Sequence, residues 1–261
     1  MSVPGRSSMG DALAGAARTA LRCLDLTSLN DADMPADIDR LCARAQGRCG
    51  EVAAVCVWPR FAAQARQRLP LSIRVAAVAN FPAGGTDAAA AVADVRAIVA
   101  AGAQEVDVVL PWRALLADDA AAAGALLHAV RAAGDGLTLK VILETGELHT
   151  PERIAQAARL ALDAGADFLK TSTGKVPVGA TLSAVDTMLQ AVRGWPHVGL
   201  KLSGGLRRVI DLLPYLERVQ RERGAQALEP QRLRIGASSL LDDIEAVLGG
   251  GPPAAAPAQG Y

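Results

Sequence analysis

Short runs rich in valine, isoleucine and leucine recur along the 261-residue chain, each followed by a longer alanine-rich segment whose apolar residues fall at helical spacing. This alternation constrains the fold more than any other feature, because strands joined by helical crossovers run parallel, and a parallel sheet must be covered on its outer faces. The candidate strands are Leu21–Leu26, Val52–Trp58, Ile73–Ala79, Glu105–Leu110, Leu137–Leu143, Asp167–Thr171, Val198–Leu202 and Leu233–Gly236. Helix signals stand between them: Thr86 and Asp87 precede the run to Ala101, Thr150, Pro151 and Glu152 precede the run to Ala164, and Gly102 and Gly165 fall just past helix ends. About eight such units in a chain of about 250 residues suffice to close a (β/α)8 TIM barrel of the α/β class. An open doubly wound sheet ranks lower, because the first strand lacks a GxGxxG turn and polar residues stand at the ends of many different strands. Residues 1–249 then form the barrel domain, with a short helical segment ahead of the first strand, and residues 250–261 form a flexible glycine- and proline-rich tail ending in Tyr261.

Composition narrows the function. Lys+Arg and Asp+Glu are both 27, so the formal net charge is zero, and aromatic residues are 3%. A protein that neutralises many phosphates or stacks on bases needs more of both, so nucleic acid is not an expected partner. No apolar run reaches the roughly 18 residues of a membrane span, and the N-terminus carries no apolar stretch of the secretory type. Cys23, Cys42, Cys49 and Cys56 form no CxxC pair, and with three histidines there is no zinc spacing; a reduced, cytoplasmic protein without a metal is the expectation.

Charge inside the apolar runs carries the chemistry. Asp107 lies within Glu105–Val109, Lys170 ends Ala166–Lys170, and Lys201 lies within Val198–Leu202. An unpaired ion in a strand core costs several kcal/mol, so these residues are either paired or chemically used. Pairing of each lysine with a carboxylate such as Asp107 or Glu144 is one reading. Two lysines on neighbouring strands also suit a second, since one ammonium near another disfavours the charged form and helps to make a free amine nucleophile. Asp107 is then the acid/base partner. Lys140 and Glu144 have the parity of one strand face and are placed behind these residues, extending the polar network.

Three strand ends suit an anion: Thr171-Ser172-Thr173-Gly174-Lys175, Ser203-Gly204-Gly205, and Gly236-Ala237-Ser238-Ser239. Small residues admit backbone N–H groups to an anion, hydroxyls add donors, and phosphate after the last strands is a recurrent barrel arrangement. Asp25 and Thr27 either bind substrate hydroxyls or cap a turn. Asn80 stands where the third strand ends, and Cys56 reads as a small core residue.

Together the segments Leu24-Asp25-Leu26-Thr27, Val55-Cys56-Val57, Asn80-Phe81-Pro82, Glu105–Val109, Leu139-Lys140-Val141-Ile142 with Glu144-Thr145, Ala166–Gly174, and Lys201 with Ser203-Gly204-Gly205 resemble the deoxyribose-phosphate aldolases, over about Leu24 to Ser239. The resemblance implies a class I aldolase that needs no metal and no cofactor and reversibly cleaves 2-deoxy-D-ribose 5-phosphate into D-glyceraldehyde 3-phosphate and acetaldehyde. It implies Lys170 as the Schiff-base lysine, Asp107 as acid/base and Lys201 as the lysine that tunes it. It places Gly174, Lys175, Gly204, Gly205, Ser238 and Ser239 at the phosphate, and the strand ends themselves offer Asp25, Thr27, Thr171 and Gly236 as further substrate contacts. It also implies a proton-relay role for Tyr261 and a homodimer or homotetramer. Residues alone leave open a phosphosugar isomerase or another Schiff-base aldolase, separable by whether acetaldehyde forms, and a non-catalytic sugar-phosphate-binding protein.

Overall fold

The computed structural model describes residues 6–250. Eight parallel strands close into a barrel: β1 (Leu24–Thr27), β2 (Ala54–Val57), β3 (Arg74–Ala79), β4 (Glu105–Val109), β5 (Thr138–Ile142), β6 (Phe168–Lys170), β7 (Gly199–Ser203) and β8 (Leu233–Ala237). Each strand pairs with its neighbours in sequence, and β1 closes the ring by pairing Asp25 with Gly236 of β8 and with Ala54 of β2.

The period of two along each strand explains the closure. Val55, Val57, Val106, Val108, Leu139, Val141, Leu200, Leu202, Leu233 and Ile235 join the main apolar core shared with the helices. The alternate residues face the lumen, which is divided. Cys56, Ala76 and Val78 form a small apolar cluster with Leu29, whereas Asp25, Glu105, Asp107, Lys140, Lys170, Lys201 and Arg234 are all buried and charged. Each strand therefore carries an aliphatic outer face worth about 1.5–3 kcal/mol per large buried side chain, against which the cost of an ionic interior is offset.

The crossover helices follow local rules. In the helix Pro151–Asp163, the Thr150 side chain accepts from the Arg153 N–H at 3.3 Å, proline occupies the first turn, and Ile154, Ala157, Ala158, Ala161 and Leu162 form the buried stripe. Asp87 caps the helix Ala88–Ala100 in the same way, accepting from the Ala90 N–H at 2.9 Å.

Three details differ from the sequence reading. The leading helix runs Arg6–Arg22, 17 residues rather than a short segment, so Leu21 and Arg22 belong to it and β1 starts at Leu24; Ala16, Ala17, Ala20 and Leu21 are buried, which ties the helix to the barrel. A small antiparallel hairpin, Gln46–Gly47 with Gly50–Glu51, precedes β2 and is too short to leave a periodic signal. Ala237 lies inside β8 rather than after it, one residue beyond the expected end at Gly236. The tail beyond Gly250, with Tyr261, lies outside the described residues.

Candidate active site

Strand register brings the charged residues together. Asp107 of β4 stands beside Lys140 of β5, and Lys170 of β6 stands beside Lys201 of β7. One oxygen of Asp107, Oδ2, accepts from both Lys170 Nζ at 2.8 Å and Lys201 Nζ at 2.6 Å; the other, Oδ1, accepts from Lys140 Nζ at 2.8 Å. Lys201 also donates to Asp25 Oδ2 at 2.5 Å. Behind this layer Lys140 lies 2.6 Å from Glu105 Oε2, and the Arg234 guanidinium bridges Asp25 Oδ1 at 2.7 Å and Glu105 Oε1 at 2.8 Å. The ion-paired reading of the lysines is the one the geometry shows, and two of them converge on one carboxylate oxygen.

Burial taken alone would raise the Asp107 carboxyl, but the ammonium groups of Lys140, Lys170 and Lys201 together hold it well below the ordinary carboxylate range. Asp25 and Glu105 are lowered likewise, burial opposing and Lys201, Lys140 and Arg234 prevailing. Burial pulls Lys201 down, yet Asp107 and Asp25 outweigh it, and the net shift is upward. The expected depression of a lysine by its neighbour therefore does not apply to Lys201, which stays an ammonium. The network holds three carboxylates against four basic side chains. Among the described residues Lys140 and Lys201 each contact at least two carboxylates, Arg234 contacts two, and Lys170 contacts Asp107 alone. Lys170 is thus the base of the network with the fewest carboxylate contacts among the described residues.

Several sequence-predicted residues take other places. Asp25 is fully buried in the ion network, where its carboxylate takes Lys201 and Arg234 instead of capping a turn. Thr27 Oγ1 donates to the Asp25 carbonyl at 2.8 Å. The Thr171 hydroxyl donates to Ser203 O and accepts from Ser203 N, both at 2.9 Å, which locks β6 to β7 and leaves the hydroxyl no proton to donate to substrate. A Cβ at Gly236 would come 3.0 Å from the Lys201 side chain, so that glycine makes room for the lysine. Glu144 does not share a strand face with Lys140: β5 ends at Ile142, and Glu144 turns left-handed at φ 58°. Its carboxylate accepts from Ser172 Oγ at 2.7 Å, Thr173 N at 3.1 Å and Thr173 Oγ1 at 2.6 Å. Those hydroxyls in turn accept from Gly174 N and Lys175 N, so Glu144 shapes the turn that follows Lys170. Cys56 Sγ lies 3.9 Å from Asp107 Oδ2, and burial pushes the thiol up, keeping it protonated.

The glycine turns remain where an anion would reach them. Gly174 and Gly205 have φ of 76° and 80°, and open space surrounds the Cβ position of each. Gly204, at φ 89°, touches Gly179, whose neighbour Ala180 donates its N–H to Gly204 O at 3.1 Å. Lys175, Ser238 and Ser239 are exposed, the serines at the start of the helix Leu240–Leu248.

Glu105 and Arg234 were not singled out from the sequence. Their signal was present as charge within the strand runs Glu105–Val109 and Leu233–Gly236, at the parity that Asp107 and Lys201 share in their own strands.

A model of the DeoC/LacD family aldolases matches residues 19–246. The deoxyribose-phosphate aldolase of Agrobacterium fabrum (strain C58 / ATCC 33970) is 46% identical over 250 residues, 94% of this chain and 96% of that one. The 1.8 Å crystal structure of a candidate deoxyribose-phosphate aldolase from Toxoplasma gondii ME49 superimposes with a TM-score of 0.85 at 25% identity, covering 93% of this chain and 97% of that one. The deoxyribose phosphate aldolase of Aeropyrum pernix, a tetramer, shares the fold with a TM-score of 0.69 at 22% identity, over 93% and 98% of the two chains. With a family model spanning most of the barrel and a relative this similar over nearly its whole length, the chain belongs to the DeoC/LacD aldolase family.

Proposed function

We propose that the chain is a class I aldolase that reversibly cleaves 2-deoxy-D-ribose 5-phosphate into D-glyceraldehyde 3-phosphate and acetaldehyde through a Schiff base on Lys170. The observation that carries this reading is the sharing of Asp107 Oδ2 by Lys170 and Lys201. Neutral Lys170 adds to the C1 aldehyde of the open-chain sugar, and the carbinolamine loses water to give the protonated imine. The C3 hydroxyl gives up its proton, the C2–C3 bond breaks, and its electron pair enters the imine to form an enamine while glyceraldehyde 3-phosphate leaves. Protonation of the enamine at C2 and addition of water then release acetaldehyde and restore the amine. The water lost in imine formation is the one regained in hydrolysis.

Asp107, held anionic by the basic side chains around it, is a weak base by itself. Its value lies in joining Lys170 and Lys201 at one oxygen, so that a proton passes between them without crossing solvent. The substrate phosphate sits on Gly174, Lys175, Gly204 and Gly205, with Ser238 and Ser239 at the start of the last helix, where backbone N–H groups and the helix dipole favour an anion. Ser203 Oγ and the turn held by Glu144 position this cradle relative to Lys170. The protein works in the cytoplasm as a homodimer or homotetramer. Among the described residues no helix is long and apolar enough to cross a membrane, and its four cysteines are unpaired.

The test is acetaldehyde release from deoxyribose 5-phosphate by the wild type and by Lys170→Leu. Release by the first and none by a folded second is the expected result. Sugar-phosphate interconversion without acetaldehyde would favour an isomerase.

A further inference from the structure

A cavity of about 320 Å³ opens at the end of the barrel opposite the Lys170 mouth. Its walls come from strand beginnings: Arg74 opens β3, Thr138 opens β5, His197 precedes β7, and Arg232 precedes β8, with Ser72 at the rim. Its volume falls in the range of sites that hold small ligands, roughly 300–1,000 Å³.

Charge at this end is uneven in a specific way. The two lining carboxylates are already compensated: Glu105 by Arg234 and Lys140, and Asp167 by Arg131 Nη1 at 3.2 Å and the Leu139 N–H at 2.8 Å. Arg234 spends its guanidinium on Asp25, Glu105 and the Pro230 carbonyl. Arg74 has no hydrogen-bond or carboxylate partner among the described residues. Arg232 donates only to the neutral acceptors Gln231 O at 2.8 Å and His197 Nδ1 at 3.3 Å. A guanidinium can only donate, so His197 Nδ1 accepts and its ring proton sits on Nε2, a further donor. Two uncompensated guanidinium groups, one imidazole donor and the Ser72 and Thr138 hydroxyls thus line one concave space among the described residues, facing the half-exposed Asp167, whose Oδ2 is taken by Arg131 and the Leu139 N–H.

From this arrangement we infer that the cavity is a second anion site, which takes a small phosphate-bearing dianion between Arg74 and Arg232. Two charges match a phosphate monoester, and the planar forks of arginine suit bidentate contact with its oxygens. The hydroxyls and the imidazole N–H supply the remaining donors. The site is distinct from the phosphate cradle of the reaction, which lies on the loops at the opposite strand ends. Its inner wall, Glu105 and Arg234, belongs to the ion network that reaches Asp107.

The experiment is calorimetric titration of inorganic phosphate into the wild-type chain and into the Arg74→Ala/Arg232→Ala variant. Ser72→Glu, which adds a carboxylate at an exposed rim position, serves as a second variant that leaves both arginines in place. The expected result is one fewer phosphate bound per chain in both variants, or binding at that site weakened at least tenfold, with aldol cleavage measured in phosphate-free buffer unchanged. Titrations of wild type and variants that superimpose would overturn the inference, whether all bind phosphate or none does. So would loss of all phosphate binding in Gly205→Asp at the opposite mouth while the arginine variant binds as wild type.

Discussion

Lys140 and Lys170 are the same side chain on adjacent strands of one lumen, yet they occupy different electrostatic positions. At the floor, Lys140 is wholly buried and contacts Asp25, Glu105 and Asp107, and its ammonium is raised above the ordinary lysine range because those carboxylates outweigh burial. At the mouth, Lys170 sits two residues higher in the strand register, slightly exposed, with Asp107 as its single carboxylate among the described residues. The comparison teaches that burial alone does not distinguish the two lysines: the number of carboxylates each meets does, and the proposed nucleophile is the less saturated of the pair.

The sharpest way to break the comparison is to remove each lysine in turn. Lys170→Leu is expected to lower kcat by at least about 10⁴-fold, some 5.5 kcal/mol of barrel chemistry. It leaves Asp107 compensated by Lys140 and Lys201, so the loss of stability in a urea titration stays within the roughly 1.5–3 kcal/mol of one charged hydrogen bond. Lys140→Met reverses the pattern. It strands Glu105 and Asp107 with fewer cations and is expected to cost about 3–5 kcal/mol of stability, read from the same titration, while an aldehyde still adds to Lys170.

A smaller effect separates the cradle from the nucleophile. Glu144→Gln keeps the shape but replaces an acceptor-only carboxylate with an amide, weakening the bonds from Ser172 and Thr173. About 1–3 kcal/mol is expected, appearing as a raised KM for the phosphosugar with trapping at Lys170 retained.

The smallest effect is in the pH dependence of stability. Asp25, Glu105 and Asp107 have lowered folded-state pKa values, so their contribution is present above the unfolded carboxylate pKa of about 4 and is lost as pH falls through the folded values. Lys140 and Lys201 have raised values, so their contribution is complete below the unfolded lysine pKa of about 10.4 and is lost as pH rises through the folded ones. The network's share of stability should therefore be flat between roughly pH 5 and pH 9.5. In Lys140→Met the acid limb of a Tm-against-pH profile should move to higher pH, and in Lys170→Met it should move less.

Much of this architecture was legible in the chain. The βα rhythm marked all eight strands, and charge inside apolar runs marked Asp107, Lys170 and Lys201, because burial of an ion is costly enough to be visible as an exception. Lateral pairing was less accessible. Asp25 resembled a turn or hydroxyl ligand until closure of the ring set it against Lys201 and Arg234, more than 170 residues away in the chain. Glu144 followed strand parity on paper, but β5 stops two residues earlier and a left-handed turn redirects the side chain. Thr171 and Gly236 carried the composition of an anion loop while serving the packing of β6 against β7 and the space around Lys201. Periodicity reports which face a residue takes; only strand register reports which residues share it.

The most direct test of Lys170 as the one reactive amine is borohydride trapping with acetaldehyde, followed by peptide mass mapping across Lys140, Lys170 and Lys201. The predicted result is a single ethyl adduct on Lys170. An adduct on Lys201 or Lys140, or none on a folded and active sample, would contradict it.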